Sequence, residues 1–366
     1  MTVRFSAKLE QIPGYVAGVP VGKAPEAIAA DDIAQLASNE SPYPPHEAVV
    51  EAIRRAAGAM NRYPDPSGAL LRQRIAERHD ADPSSIALAN GSCEILLAAS
   101  MALLEPGAEV VYAWPSFSMY PYLAPLSGAR EIRVPLTDDY EHDLDAMLAE
   151  ITAATQLVLV CNPNNPTSTH IPAARIAEFV AAVPDHVTVI LDEAYIEFQL
   201  HDDPDDTVDL WRRHRNLVLL RTFSKAYGLA GLRVGYALCS PAFRAAVDAV
   251  RQPFSVNALA QAAAAEAIRH QDDVAERVER TLIERVKVQE GVRELGLVTP
   301  DSHANFSWIE LGDTEVEEKV VAELREQGIV VRAGTPLGGP GHIRVSYGTP
   351  EQNQRFLEAL GRALPS

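Results

Sequence analysis

The strongest chemical signal in this 366-residue chain is a lysine set among hydroxyls, glycines and an arginine at the end of an apolar run. Residues 221–233 read RTFSKAYGLAGLR, placing Lys225 just after a strand-like stretch, with Thr222 and Ser224 before it and Arg233 after it. A lysine beside an apolar strand end loses proton affinity and becomes nucleophilic, as Schiff-base chemistry requires. Thr222, Ser224 and Arg233 would then suit a phosphate through charge-assisted hydrogen bonds. Taken alone, the segment also fits a surface turn carrying a solvated lysine.

Three further segments end apolar runs with polar groups. In residues 189–195 (VILDEAY), Asp192 closes the run and Tyr195 follows three residues later. A buried carboxylate needs a partner, and a protonated pyridine nitrogen would supply one while keeping the ring electron-withdrawing. A helix cap or a metal ligand is an equally good reading of Asp192 in isolation. Residues 161–167 (CNPNNPT) form a rigid turn in which Asn165 could donate to a phenolic oxygen, although a plain turn fits as well. Residues 90–94 (NGSCE) open an apolar helix, so the backbone at Ser92 and Cys93 offers an anion site or simple capping.

These segments need a scaffold that brings strand ends together. From residue 84 to 239, short continuous apolar runs alternate with longer Ala-rich amphipathic stretches, which predicts an α/β fold with a mainly parallel central sheet flanked by helices. Strands are expected over 85–90, 109–113, 156–161, 187–192, 216–221 and 234–238. Ligands of such sheets bind beyond the carboxyl ends of the strands. After residue 254 the pattern changes to long helices and then to a smaller α+β unit. The expected division is an arm with part of the small domain over 1–40, a large domain over 41–254 and a small domain over 255–366.

With 50 acidic against 32 basic residues, the net charge of −18 opposes binding to nucleic acid or an anionic membrane. Three cysteines, Cys93, Cys161 and Cys239, suit neither a disulfide framework nor paired zinc knuckles. No signal peptide or spanning segment is apparent, and a cytoplasmic protein is expected. Metal-hydrolase and Walker motifs are absent, and the glycines at 228, 231 and 235 miss dinucleotide spacing.

Taken in order, the four segments resemble the class I/II aminotransferases, fold type I of the pyridoxal-phosphate enzymes, over essentially the whole chain. The likeness is greatest to the histidinol-phosphate aminotransferase group, through residues 36–42 (LASNESP), 61–65 (NRYPD), 114–120 (WPSFSMY), the Asn-Pro turn, the lysine segment and residues 343–349 (IRVSYGT). The resemblance implies pyridoxal 5′-phosphate as cofactor, with Lys225 forming the Schiff base and shuttling the proton. It further implies that Asp192 pairs with the pyridine nitrogen, Asn165 and Tyr195 meet the ring oxygen, and Phe117 stacks on the ring. Ser92, Cys93, Thr222, Ser224 and Arg233 would hold the phosphate, reached also by Tyr63 from the other subunit of a homodimer. Arg344, Arg332 and Tyr15 would face the substrate.

The implied reaction is amino transfer from L-histidinol phosphate to 2-oxoglutarate, as in histidine biosynthesis. An aromatic amino-acid aminotransferase is the alternative, because residues 140–147, 221–236 and 253–257 look equally like those relatives. A decarboxylating lyase or a non-catalytic protein on the same fold are more distant readings. Two departures from the group stand out: Cys93 replaces an acidic residue, and Ser168 replaces the glycine that ends the Asn-Pro-Thr turn.

Overall fold

The computed structural model describes residues 3–12, 14 and 32–364. Its strands, in chain order, are β1 (Ala34–Gln35), β2 (Ile86–Ala89), β3 (Glu109–Trp114), β4 (Arg130–Pro135), β5 (Thr155–Cys161), β6 (Thr188–Asp192), β7 (Leu217–Thr222), β8 (Gly235–Leu238), β9 (Phe306–Glu310), β10 (Ile329–Val330), β11 (Arg332–Ala333) and β12 (His342–Ser346). Seven of them form one sheet in the order β2-β8-β7-β6-β5-β3-β4. All neighbours are parallel except β8, which runs against both β2 and β7.

The continuous apolar runs form this sheet because both of its faces are covered. Val158, Val160, Val189 and Leu191 face one core, whereas Leu157, Leu159 and Ile190 face the other. This is the period-two alternation of a strand, made invisible in sequence by apolar residues on both sides. Strand β4 has no counterpart among the expected strands. It pairs only with β3 and is largely exposed, so its charged residues Arg130, Glu131 and Arg133 suit a sheet edge and mask its strand character.

The smaller unit holds an antiparallel sheet, β11-β12-β9, and a parallel pair, β1 with β10. Residues 329–333 form two short strands, separated at Val331 as the chain passes from one sheet to the other. Strand β1 arises inside the segment read as an extended arm. Tyr15, also in that segment, lies outside the described residues.

The helix Ala258–Ala267 buries Ala260, Ala263 and Ala264 in the large-domain core. The next helix, Gln271–Glu294, contributes Val274 and Val278 to that core but Val288 and Val292 to the core of the small unit. The cores thus part within one long helix, whose continuous periodicity gives no sign of a division. No helix among the described residues is long and apolar enough to cross a membrane.

Candidate active site

The carboxyl ends of β5, β6 and β7 deliver Asn165, Asp192 and Lys225 to one cavity of about 370 Å³. Lys225 sits in a tight loop closed by bonds from Gly228 N to Lys225 O and from Leu229 N to Phe223 O, both 2.9 Å. Its Nζ donates to Ser38 O at 3.0 Å and lies 5.7 Å from the centre of the Tyr195 ring. Burial, reinforced by the positive charge of Arg344 and Arg233, pushes its pKa down to about 8. About a tenth of the amine is then neutral at pH 7, far more than for an exposed lysine.

Asp192 is 2% exposed. Its Oδ2 accepts a hydrogen bond from the Tyr120 hydroxyl at 3.1 Å, whereas Oδ1 is buried without a partner. Burial raises its pKa to about 7, against the opposing effects of Tyr120 and the Ala194 backbone N–H. An orphaned, buried carboxylate oxygen in a cavity matches a cationic ring N–H, which would stabilise the charged form.

Asn165 and Tyr195 are held by residues from other parts of the chain. Asn165 Oδ1 accepts from Arg344 Nη1 at 2.6 Å, and Arg344 Nη2 donates to Ala37 O at 2.7 Å. With its carbonyl occupied, the Asn165 amide keeps its NH₂ group for a ligand. The Tyr195 hydroxyl accepts from Asn39 Nδ2 at 3.0 Å. Asn39 has φ 54° and is fixed in turn by Ser346 Oγ, which accepts from Asn39 N at 2.8 Å.

The opposite wall is an anion cradle. The helix Ser92–Leu103 starts after Gly91, which supplies no side-chain cap, and Ser92 and Cys93 at its first turn border the cavity. Thr222, Ser224 and Arg233 border it too. A Cβ on Gly91, whose φ is +81°, would lie 2.6 Å from Arg233 Nη2, and one on Gly235 would lie 2.5 Å from Ser92 N. The backbone and guanidinium therefore converge where only glycine leaves room. Free helix N–H groups, two hydroxyls and an arginine are a donor set suited to phosphate. The thiol of Cys93 is pushed up chiefly by burial, which keeps it neutral among these charges.

A family description, aminotransferase class I and II, matches residues 31–360. The chain belongs to this family. An aromatic amino acid aminotransferase of Streptomyces avermitilis is 42% identical over 98% of this chain and 97% of its own length. Histidinol-phosphate aminotransferase 2 of Pseudomonas fluorescens is 40% identical over 97% and 96% of the two chains. Among solved structures, the histidinol-phosphate aminotransferase of Sinorhizobium meliloti in complex with pyridoxal-5′-phosphate superposes with a TM-score of 0.88 at 31% identity, covering 100% of this chain and 98% of that one.

Arg332 and Arg344 both border the cavity of this aminotransferase, as does Phe117. Tyr63 does not reach it: the ring is 82% exposed and stacks on Phe254 with centroids 4.6 Å apart. The departure at Ser168 is accommodated with φ 63° in a fully buried turn, where Ser168 N donates to Asn164 O at 2.8 Å.

Sequence reasoning gave no role to Ser38, Asn39 and Tyr120, although each contacts one of the residues it singled out. Asn39 and Tyr120 stand within the quoted segments LASNESP and WPSFSMY, but their partners lie 156 and 72 residues away. Only the hydroxyl and amide chemistry of the two residues, in segments that close on a cavity, hinted at such contacts.

Proposed function

We propose that this aminotransferase binds pyridoxal 5′-phosphate and takes an aromatic amino acid such as phenylalanine as its amino donor, with a 2-oxo acid as acceptor. The observation that carries the chemistry is the enclosure of Lys225, the bare Oδ1 of Asp192 and Arg344 in one cavity. The aromatic donor is supported by the S. avermitilis relative and a Thermobifida fusca one of the same name, the latter 45% identical over 91% of this chain. The apolar surface of Leu337 in the cavity suits an aromatic side chain.

The bound cofactor supplies an electron sink that stabilises negative charge at the substrate Cα. The protein's share is to hold and move protons. With the cofactor bound, Lys225 would take the proton from the substrate Cα and give it back at the cofactor's C4′. Asp192, through Oδ1, would accept from the ring nitrogen. Asn165 and Tyr195 would donate to the ring oxygen, and Phe117 would cover the ring face. Ser92, Cys93, Thr222, Ser224 and Arg233 would hold the phosphate, and Arg344 would meet the substrate carboxylate.

Tyr63 acts on the phosphate of a second copy, so the working form is a homodimer. The three free cysteines are in keeping with a reducing, cytoplasmic compartment. One observation favours a second donor, L-histidinol phosphate: two arginines, Arg332 and Arg344, suit a phosphate dianion. Turnover with 2-oxoglutarate separates the two. A higher kcat/KM for L-phenylalanine supports the aromatic reading, and a higher value for L-histidinol phosphate replaces it with the histidine-biosynthetic one.

A further inference from the structure

Tyr120 lies behind the cofactor cavity and does not border it, yet it touches two residues that do. Its side chain is fully buried. The hydroxyl donates to Asp192 Oδ2 at 3.1 Å, and the ring meets the Phe117 ring edge-on with centroids 5.7 Å apart. On its far side the Tyr112 ring packs against it at 5.6 Å. We propose that Tyr120 is a positioning residue that occupies one oxygen of Asp192, reserves the other for the cofactor's ring nitrogen, and braces Phe117 against the ring face. The proposal rests on the assignment of pyridoxal phosphate to this cavity.

The physical reason lies in the freedom of a lone carboxylate. A carboxyl group with two equivalent bare oxygens can rotate about its Cβ–Cγ bond, and in an apolar site it keeps its proton. A protonated acid has lost acceptor capacity and cannot form an ion pair with a ring N–H⁺. The Tyr120 hydroxyl, beside the Ala194 backbone N–H that also acts on this carboxylate, breaks that symmetry. It stabilises the charged form, as a donor to a buried carboxylate does, and it fixes the rotor so that the partnerless Oδ1 is the oxygen left for the ring. Because the same aromatic ring contacts Phe117, the edge and the face of the cofactor site share one support.

Tyr120→Phe removes the hydroxyl and keeps the ring contacts. Cofactor-free wild type, Tyr120→Phe, Asp192→Asn and the double variant are titrated with pyridoxal 5′-phosphate between pH 6 and 9, following binding by calorimetry. Tyr120→Phe is expected to weaken binding about tenfold or more, the usual effect of losing a hydrogen bond to a charged group. Its loss of affinity on acidification should begin at higher pH than in wild type. In the Asp192→Asn background, Tyr120→Phe should cause no further loss.

Wild-type affinity and pH dependence in Tyr120→Phe, or an equal loss in both backgrounds, overturns the proposal. Failure of the wild type itself to bind the cofactor overturns the assignment of the cavity instead. Should Tyr120→Phe not fold, site-specific 3-fluorotyrosine at position 120 provides a stronger donor of nearly the same shape. It is expected to move the acid limb of binding to lower pH, and an unmoved limb overturns the proposal.

Discussion

Arg332 and Arg344 are direct cross-strand partners in the antiparallel pair β11–β12, and both border the cavity that contains Lys225. Like charges placed opposite each other on a sheet destabilise it, and the arrangement is relieved when an anion binds beside them. Arg344 also donates to Asn165 and to Ala37 O, so it ties β12 to the turn after β5 and to the segment after β1.

Replacing Arg344 should therefore cost more than replacing Arg332 for an amino acid donor. Arg344→Gln is expected to lower kcat/KM for phenylalanine by 10- to 100-fold, corresponding to about 1.5–3 kcal/mol for a hydrogen bond to a charged group. Arg332→Gln should have a smaller effect on phenylalanine than on histidinol phosphate. Steady-state kinetics of both variants with both donors tests this ordering, and equal losses would remove the distinction between the two arginines.

Lys225→Ala should eliminate turnover and the visible absorbance of the lysine-bound cofactor. Retention of either would refute the assigned role.

The buried lysine also sets a pH dependence in the cofactor-free protein. Its folded pKa, about 8, lies below the ordinary value of 10.5, so burying the charged form destabilises the fold throughout the range below about 8. Between 8 and 10.5 the unfolded chain binds more protons than the folded one, and stability contributed by this group rises with pH. Lys225→Met without cofactor should melt above the wild type at pH 7, and the gap should narrow towards pH 10. A gap independent of pH would contradict the shift.

Asp192 has the opposite sense in the same state. Its folded pKa of about 7 lies above 3.8, so the stability it contributes is present at low pH and lost as pH rises to about 7. Asp192→Asn without cofactor should be more resistant to heat than wild type at pH 8, yet bind pyridoxal phosphate more weakly. Melting curves and titrations on one preparation check both halves of this trade.

Gly91→Ala should weaken cofactor binding and destabilise the fold by roughly 1–3 kcal/mol, because φ +81° strains any other residue and the new Cβ would press on Arg233. Urea denaturation and a cofactor titration measure the two effects, and an unchanged affinity would show that Arg233 can withdraw without loss.

Behind the site, Arg221 Nε donates to Glu193 Oε2 at 2.7 Å in a pair whose side chains are 5% and 0% exposed. Glu193→Ala leaves the buried guanidinium without its ion-pair partner, with Glu197 the remaining nearby carboxylate, and should cost about 3–5 kcal/mol in urea denaturation. A loss below 1 kcal/mol would mean that Pro204 O, which accepts from Arg221 Nη2 at 2.7 Å, suffices as a partner.

Much of this arrangement is legible in the sequence because it is written locally. Asp192 ends an apolar run, and Asn165 and Lys225 follow such runs within a few residues; an apolar run closed by a polar residue marks a strand end wherever both faces of a sheet are covered. The resemblance to class I/II aminotransferases then gave each of these residues a role. The edge strand β4 escaped because charged residues are tolerated where one side of a strand meets solvent, and the division of the cores escaped because one helix runs through both.

Neighbours within a few residues specify the mainly parallel sheet and its polar strand ends, so these are readable from the chain alone. Tertiary structure alone decided that Ser38 receives the Lys225 ammonium across 187 residues, that Arg332 stands opposite Arg344, and that Tyr120 leaves Asp192 one bare oxygen. Strand register and the meeting of distant side chains depend on how separate elements pack, and no short stretch of chain encodes them.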